Sequence, residues 1–349
     1  MMGGRIKSFG VVFSISIIFI RHILFLSCMN PQIMVNGLPG NMAKGVVKAI
    51  DASEDLDVFT AALCAQHRDN FVFDRGDGKD AIDVRPFNRE VSFFEGKPNV
   101  AVDYTSPDTI YYVVEHYCEH NVPFVMGTTG GDRAALEKLV RDSNTVAVIA
   151  PNMAAPIVGI QHVMERFADL YEGILEDCKL EITESHQKGK KDTSGTAKAM
   201  ISHFNKLGIN FSRDDIRSIR DEETQLAMGI PEEHLAGHGW HTYRLTAPTN
   251  DRGLVALELA LGNFLNPLDE YEETFYDMNP AASVETDNEL YSVSLTESNT
   301  LTCLSLTHNV NGRDVYFDGT LGAVRFLLPK IEAGEKGKCY SMIDVLKGN

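Results

Sequence analysis

The sequence predicts an α/β fold in which a doubly wound parallel sheet is followed by a second domain of α+β character. Three observations carry this. Between residues 32 and 150, short apolar runs alternate with stretches of helical periodicity, the βαβ signature of a parallel sheet. After Asn152 that alternation gives way to a different mixture of helices and strand-like segments. The 349 residues, 44% hydrophobic and 23% charged, have ordinary globular composition and supply enough chain for two cores.

Taken in order, the short apolar runs place strands at 33–36, 57–63, 99–103, 122–126 and 145–150. Helices fit between them at 41–50, 106–120 and 131–142, and Ser106-Pro107 and Gly131-Asp132 supply starts for the last two. Beyond Asn152 the order is helix 156–171, strand 178–186, helix 195–207 and further strand-like segments. Helices at 319–332 and 340–347 close the chain and return to the first domain.

The segment before the first strand fits neither domain. Residues 9–20 form a 12-residue apolar run flanked by Arg5 and Lys7 on one side and Arg21-His22 on the other. That is too short to span a bilayer, and no small-x-small cleavage site separates it from the strand at 33–36. Met29 opens a natural start, so residues 1–28 are expected to be an upstream extension, with a chain beginning at Met29 as soluble and active as the longer one.

Charge and cysteines limit the partners. With 32 basic against 49 acidic side chains the formal charge is −17, a field that repels phosphate backbones and anionic lipid, so neither nucleic acid nor membrane is expected. In so acidic a chain a local cluster of Lys, Arg and His is informative. The six cysteines, at 28, 64, 118, 178, 303 and 339, lie at least 36 residues apart, which excludes C-x-x-C pairs and zinc knuckles. They suit reduced thiols in a cytoplasmic protein with no bound metal.

Three motifs carry chemistry. The first, Asn36-Gly37-Leu38-Pro39-Gly40-Asn41-Met42-Ala43, lies where a strand gives way to a helix. Its glycines permit a tight turn and close approach of a pyrophosphate to the helix N-terminus, where free amides and the dipole favour anions. A plain turn is the alternative. The acid that would hold a coenzyme ribose about 20 residues on is not evident, so strict NAD preference is unsupported; His67 and Arg68 could meet a 2′-phosphate.

The second motif, Gly127-Thr128-Thr129-Gly130-Gly131, follows a strand directly, and Ala150-Pro151-Asn152-Met153 repeats the arrangement at the next strand end. Three strand ends would then face one crevice. The third runs from Glu184 through Ser185, His186, Gln187, Lys188, Gly189, Lys190, Lys191, Asp192, Thr193, Ser194 and Gly195 to Thr196. His186, Lys188, Lys190 and Lys191 are out of character for an acidic chain, and clustering pulls a lysine toward general-acid range. Ser194-Gly195-Thr196 opens a helix whose amides suit a carboxylate. Separately these are a solvated loop and a cap; together they describe a dicarboxylate site with a proton donor.

N-G-x-x-G-x-M, D-Y-T-x-P from Asp103 to Pro107, V-M-G-T-T-G, A-P-N-M and E-S-H-Q-x-x-K-x-D-x-S-G-T resemble, in this order, dihydrodipicolinate reductase. Pro231-Glu232-Glu233-His234, Gly237-His238-Gly239-Trp240-His241 and His308 to Arg313 through Gly319-Thr320 are most similar to its plant-type branch. The likeness covers about residues 32–346 and implies a Rossmann-like doubly wound sheet plus an α+β substrate domain with an open mixed sheet that makes an oligomer contact. It implies an extension at 1–28, a dinucleotide-binding domain at 29–153, a substrate-binding and oligomerisation domain at 154–317, and C-terminal helices at 318–349 returning to the first.

The activity so implied is NADPH- or NADH-dependent reduction of a small cyclic dicarboxylate to tetrahydrodipicolinate, for diaminopimelate and lysine, by a homodimer or homotetramer. Lys190 would donate the proton and His186 assist, with Gln187, Ser194, Gly195 and Thr196 around the substrate carboxylate. Gly37, Gly40, Asn41 and Met42 match the pyrophosphate turn; Gly127, Thr128, Thr129, Ala150, Asn152 and Met153 match the nicotinamide side.

This chain departs from the pattern at Ala43, where a third glycine is common, and in lacking the Pro that the bacterial form carries before S-G-T. Residues 249–292, with the acidic run 269–273, are expected to be an insertion, either a surface loop or an altered oligomer contact. Two other classes stay open: another Rossmann oxidoreductase of amino-acid metabolism, and a non-catalytic NADPH-binding sensor, which would need neither Lys190 nor the Ser-Gly-Thr helix start.

Overall fold

The computed structural model describes residues 30–65, 69–87, 96–190, 192–265, 281–286 and 288–348. The N-terminal extension, His67, Arg68, Lys191 and the acidic run 269–273 lie outside the described residues.

The first sheet is built from β1 (Gln32–Asn36), β2 (Asp57–Val58), β6 (Val100–Asp103), β7 (Phe124–Met126), β8 (Val146–Ile149) and β15 (Lys338–Tyr340). Their order is β15-β8-β7-β6-β1-β2 and every pairing is parallel. The central strands are buried on both faces, as continuous apolar runs require. Helix α1 (Asn41–Ala52) seals one face with Ala43, Val46, Val47 and Ile50, an i, i+3, i+4, i+7 stripe. Helix α2 (Ile110–Glu119) follows a 3₁₀ turn capped by Ser106, and α3 (Arg133–Arg141) starts at Asp132, whose carboxylate accepts from the Ala134 and Ala135 amides.

The expected strand at 57–63 is two strands in two sheets. β2 ends at Val58, and β3 (Ala61–Cys64) joins β4 (Phe71–Phe73) and β5 (Ile82–Pro86) in a separate sheet of order β3-β5-β4. The break has a hydrogen-bond cause: the Leu63 amide donates to Asn36 Oδ1 at 2.7 Å and the Leu63 carbonyl accepts from the Gly37 amide at 2.9 Å. The turn after β1 thus takes the bonds that a continuous strand would have given to β1.

The second sheet contains β9 (Lys179–His186), β10 (Arg217–Ile219), β11 (His238–Pro248), β12 (Ala281–Thr286), β13 (Glu289–Glu297) and β14 (Leu301–Asn311), in the order β10-β9-β11-β14-β13-β12. Only β9 and β10 are parallel, so the sheet is mixed. One face packs Leu180, Ile182, Tyr243, Leu304 and Val293 against α4 (Ala155–Leu170), α5 (Gly195–Lys206) and α7 (Arg252–Leu265), while the short α6 (Glu222–Ala227) follows β10. The opposite face carries a half-exposed polar row, Thr183, Thr242, Thr307 and Ser292, in register across four strands. Residues 249–292 therefore include α7, which buries Leu254, Leu257 and Leu261, as well as β12 and the start of β13.

Helix α8 (Asp314–Glu332) starts five residues earlier than its periodicity indicated and packs on the first sheet through Leu321, Ala323, Val324 and Leu327. The chain then adds β15, an edge strand too short to announce itself in the sequence, before helix α9 (Met342–Lys347), which begins with a Ser341–Asp344 capping box.

Candidate active site

Register sets Asn36, Asp103, Met126 and Ile149 side by side at the carboxyl ends of β1, β6, β7 and β8. The next residues, Gly37, Tyr104, Gly127 and Ala150, therefore share one edge. Strand order reverses between β1 and β6, which is where an open parallel sheet leaves a crevice.

The glycines of that edge are needed there. Gly37 has φ +101°, and a Cβ on it would lie 2.2 Å from the Tyr104 carbonyl oxygen. Gly40 caps α1 without a side chain, and a Cβ on Gly127 would strike the Tyr104 ring at 2.3 Å. The first-turn amides of α1 thus face the crevice with no side-chain cap to occupy them. Beneath this floor Asp103, fully buried, accepts from Tyr117 at 2.9 Å, Thr128 at 2.8 Å and Thr105 at 2.9 Å, and Tyr117 accepts from Asn36. Burial pushes the Asp103 and Tyr117 pKa values up. This network is why the two strand-end loops keep one shape.

A cleft of about 450 Å³ opens above it. Six of the expected coenzyme residues line it: Met42, Gly127, Thr128, Thr129, Asn152 and Met153. Gly37, Gly40, Asn41 and Ala150 do not line it; the first two form the adjoining turn, Asn41 opens α1, and Ala150 is buried at a strand end. Tyr104, Thr105, Pro107, Pro151, Arg313 and Tyr316 complete the wall; the sequence assigns none of them a site role, although Tyr104, Thr105 and Arg313 lie in segments that carry the resemblance. Arg313 stands at the N-cap of α8, supplied from the far end of the chain.

The second half of the site lies at the end of β9. Glu184, with no exposure, is its hub. Its Oε1 accepts from Arg220 Nη2 and from Ser218 Oγ at 3.1 Å, and its Oε2 accepts from the Ser194 amide at 3.1 Å. His186 Nε2 and His241 Nε2 stand 3.9 and 3.8 Å from the same Oε2. Ser194 Oγ meets His241 Nε2 at 2.8 Å and accepts from the Ala197 amide, so it caps α5 while tying it to β11. Gly195 and Thr196 are the first residues of α5; Gln187 closes a turn by accepting from the Lys190 amide at 3.0 Å. Glu184, Arg220 and His241 were not among the residues expected to act. Glu184 could have been found, since period two along a strand puts it on the face of His186.

His186 Nδ1 lies 3.0 Å from the His238 carbonyl, which can only accept, so Nδ1 carries the proton of the neutral ring and Nε2 presents its lone pair. That Nε2 has no hydrogen-bond partner among the described residues. Burial, despite the opposing pull of Glu184, brings the His186 pKa down to about 4. At neutral pH the ring is uncharged. Burial also works against ionised Glu184, but the Arg220 hydrogen bond and the Ser194 amide outweigh it and hold its pKa below the usual range. Glu184, His186 and His241 have metal-ligand chemistry with donor atoms within 4.8 Å of one another, yet both Glu184 oxygens are already committed to Arg220, Ser218 and Ser194.

These histidines set a stability prediction. Burial lowers the pKa of His186 to about 4 and His308 to about 3, and lowers those of His238 and His241. A histidine depressed in the folded state binds fewer protons than the unfolded chain below about pH 6.5, so stability is full above that pH and is lost as pH falls toward 4, at up to ~1.4 kcal/mol per pH unit per group. Thermal melts are expected to show a level Tm above pH 7 and a steep fall between pH 6.5 and 4. His308→Gln should flatten that fall, and a wild-type Tm unchanged down to pH 4.5 would remove the basis for it.

Gly312, next to Arg313 of the cleft wall, donates to the Gly237 carbonyl at 2.7 Å, one residue before His238. Residues 31–153 match the family model for dihydrodipicolinate reductase, N-terminus, and residues 159–346 that for its C-terminus. The 4-hydroxy-tetrahydrodipicolinate reductase 2, chloroplastic, of Arabidopsis thaliana is 36% identical over 321 residues, covering 90% of this chain and 77% of its own. The corresponding reductase 1 of the same plant is 35% identical, covering 90% and 78%. Dipicolinate-bound dihydrodipicolinate reductase from Paenisporosarcina sp. TG-14 shares the fold at 16% identity, with a TM-score of 0.52 over 90% of this chain and 98% of that one. By both halves of its sequence, and with the sheet topology those halves adopt, the chain belongs to the dihydrodipicolinate reductase family.

Proposed function

We propose that this protein reduces dihydrodipicolinate, the dehydrated form of 4-hydroxy-tetrahydrodipicolinate, to tetrahydrodipicolinate with NADPH or NADH, in diaminopimelate and lysine biosynthesis. The observation that supports it best is the segment 184–196, where a buried carboxylate bonded to Arg220 and to the Ser194 amide gathers a neutral histidine, the loop bearing Lys190 and the N-terminus of α5 into one cluster.

The coenzyme fits the residues present: Met42, Gly127, Thr128, Thr129, Asn152 and Met153 line an open cleft, and the start of α1 has no competing side-chain cap. Gly37, Gly40, Asn41 and Met42 would hold its pyrophosphate, with Gly127, Thr128, Thr129, Ala150, Asn152 and Met153 on the nicotinamide side. When bound, it supplies a hydride. Lys190 supplies the accompanying proton, so that one hydride and one proton add across the double bond of dihydrodipicolinate, which forms from 4-hydroxy-tetrahydrodipicolinate when the hydroxyl leaves as water. His186 accepts a hydrogen bond through Nε2 in the substrate pocket. Gln187, Ser194, Gly195 and Thr196 hold a carboxylate of the substrate at the start of α5, where free amides and the helix dipole favour an anion.

The reading divides the chain into 29–153, 154–317 and 318–349, with the polar face of the second sheet meeting its copy in a homodimer or homotetramer; light scattering giving a monomer mass at micromolar protein would refute the latter. No described helix is long and apolar enough to cross a membrane. Among the described residues the five cysteines are free, which suits a reducing compartment such as the cytoplasm. The deciding experiment couples the enzyme to freshly made synthase product with each coenzyme in turn. Turnover with neither, or turnover only of another carbonyl substrate of amino-acid metabolism, would defeat the proposal.

A further inference from the structure

We infer that Arg220 is a positioning residue for Lys190: it fixes the loop that carries the proton donor, and it acts on the reaction only through that loop. The inference rests on the role proposed above for Lys190.

Arg220 directly follows β10, whose parallel register sets Ser218 opposite Glu184 and Ile219 opposite Ser185. The guanidinium next in line reaches three acceptors from three parts of the site. Its Nε donates to the Lys190 carbonyl at 3.1 Å, its Nη1 to the Ile219 carbonyl at 2.9 Å, and its Nη2 to Glu184 Oε1. A guanidinium is a rigid planar fork, so satisfying the Glu184 and Ile219 bonds fixes where Nε points, and hence where the Lys190 backbone lies. Glu184 is held in turn by the Ser194 amide and Ser218, so edge strand, catalytic loop and helix start form one unit.

The loop needs such a tether. Between Gln187 and Lys190 the backbone closes only a Gln187–Lys190 turn, and Gly189 has open space where a Cβ would be. Lys188 is exposed, and Lys190 is half-buried at the point where Arg220 grips it. A long flexible side chain delivers a proton in the right direction only if its root is fixed, and a misplacement of about 1 Å in a reacting group can cost on the order of 10²-fold in rate.

Lysine at position 220 separates positioning from folding. Its ammonium can neutralise Glu184 and so keep the buried carboxylate paired, but a single point charge cannot also hold the Lys190 and Ile219 carbonyls in fixed directions. The test is a double-mutant cycle of Arg220→Lys and Lys190→Ala, read as kcat, substrate KM, coenzyme Kd and Tm. Arg220→Lys is expected to lower kcat by about 10- to 100-fold with Tm within about 3 °C and coenzyme Kd within about twofold of wild type. In the Lys190→Ala background the same change should cost less than about threefold, because the group it positions is gone.

Equal losses in both backgrounds, or an Arg220→Lys enzyme retaining more than half of kcat, would overturn the inference. If Lys190→Ala alone keeps full kcat, the donor assignment fails, and the role of Arg220 with it. Should Arg220→Lys not fold, the pair Arg220→Gln with Glu184→Gln, which leaves no buried charge unpaired, is put through the same cycle under the same criteria.

Discussion

Replacing Lys190 with alanine is expected to lower kcat by about 10² to 10⁴-fold, the range general-acid groups supply, while coenzyme affinity stays within about twofold. The split follows from where the residue sits. Lys190 is on the loop between β9 and α5, beside the Glu184–Arg220 pair, and does not line the cleft formed by Met42, Gly127, Thr129 and Asn152. His186 cannot replace it. Its ring is neutral at pH 7, and the hydrogen bond to the His238 carbonyl commits its one proton to Nδ1, leaving a lone pair on Nε2. Steady-state kinetics and a coenzyme titration decide the matter, and a Lys190→Ala enzyme with more than half the wild-type kcat would send the donor role elsewhere.

Gly40→Asp is expected to weaken coenzyme binding by at least about 10²-fold while leaving the fold standing. Gly40 caps α1 at φ −60° and ψ 149°, a conformation open to any residue. Asp is a favoured N-cap and would give α1 roughly 1 kcal/mol through its own carboxylate. An added Cβ sits 2.8 Å from the Gly37 carbonyl oxygen, too close to backbone to be tolerated, so the turn must shift and that gain is lost. The capping carboxylate occupies the same amides that a pyrophosphate would use and puts negative charge where another anion must bind. Melting and fluorescence titration should therefore both change, with Tm lowered modestly and affinity lost far more. Unchanged titration with either coenzyme would show that the pyrophosphate does not lie on this turn.

The sequence by itself determined the α/β class, the parallel first sheet, the strand-to-helix turns at Gly37–Gly40 and Gly127–Gly131, and the segment 184–196. These are local properties: apolar periodicity, glycine where φ is positive or backbone approaches closely, a serine at a helix start, and a run of cations in an acidic chain. What only the tertiary structure decided is set by pairing between distant segments. Asn36 splits the stretch 57–64 into two sheets by taking the Leu63 amide across 27 residues, which no periodicity within 57–64 could announce. Arg313 and Tyr316 reach the cleft beside Gly127 and Asn152 because α8 folds back onto the first sheet, and β15 forms only because β8 offers it an edge. The Glu184 hub gathers donors from Ser194, Ser218 and Arg220, with His241 beside it, so that the start of α5, β10 and β11 meet there, and a buried carboxylate is tolerable only when such donors converge on it. Chain order records none of this convergence, since it comes from the register of β9 between β10 and β11, fixed by which apolar face each strand must bury.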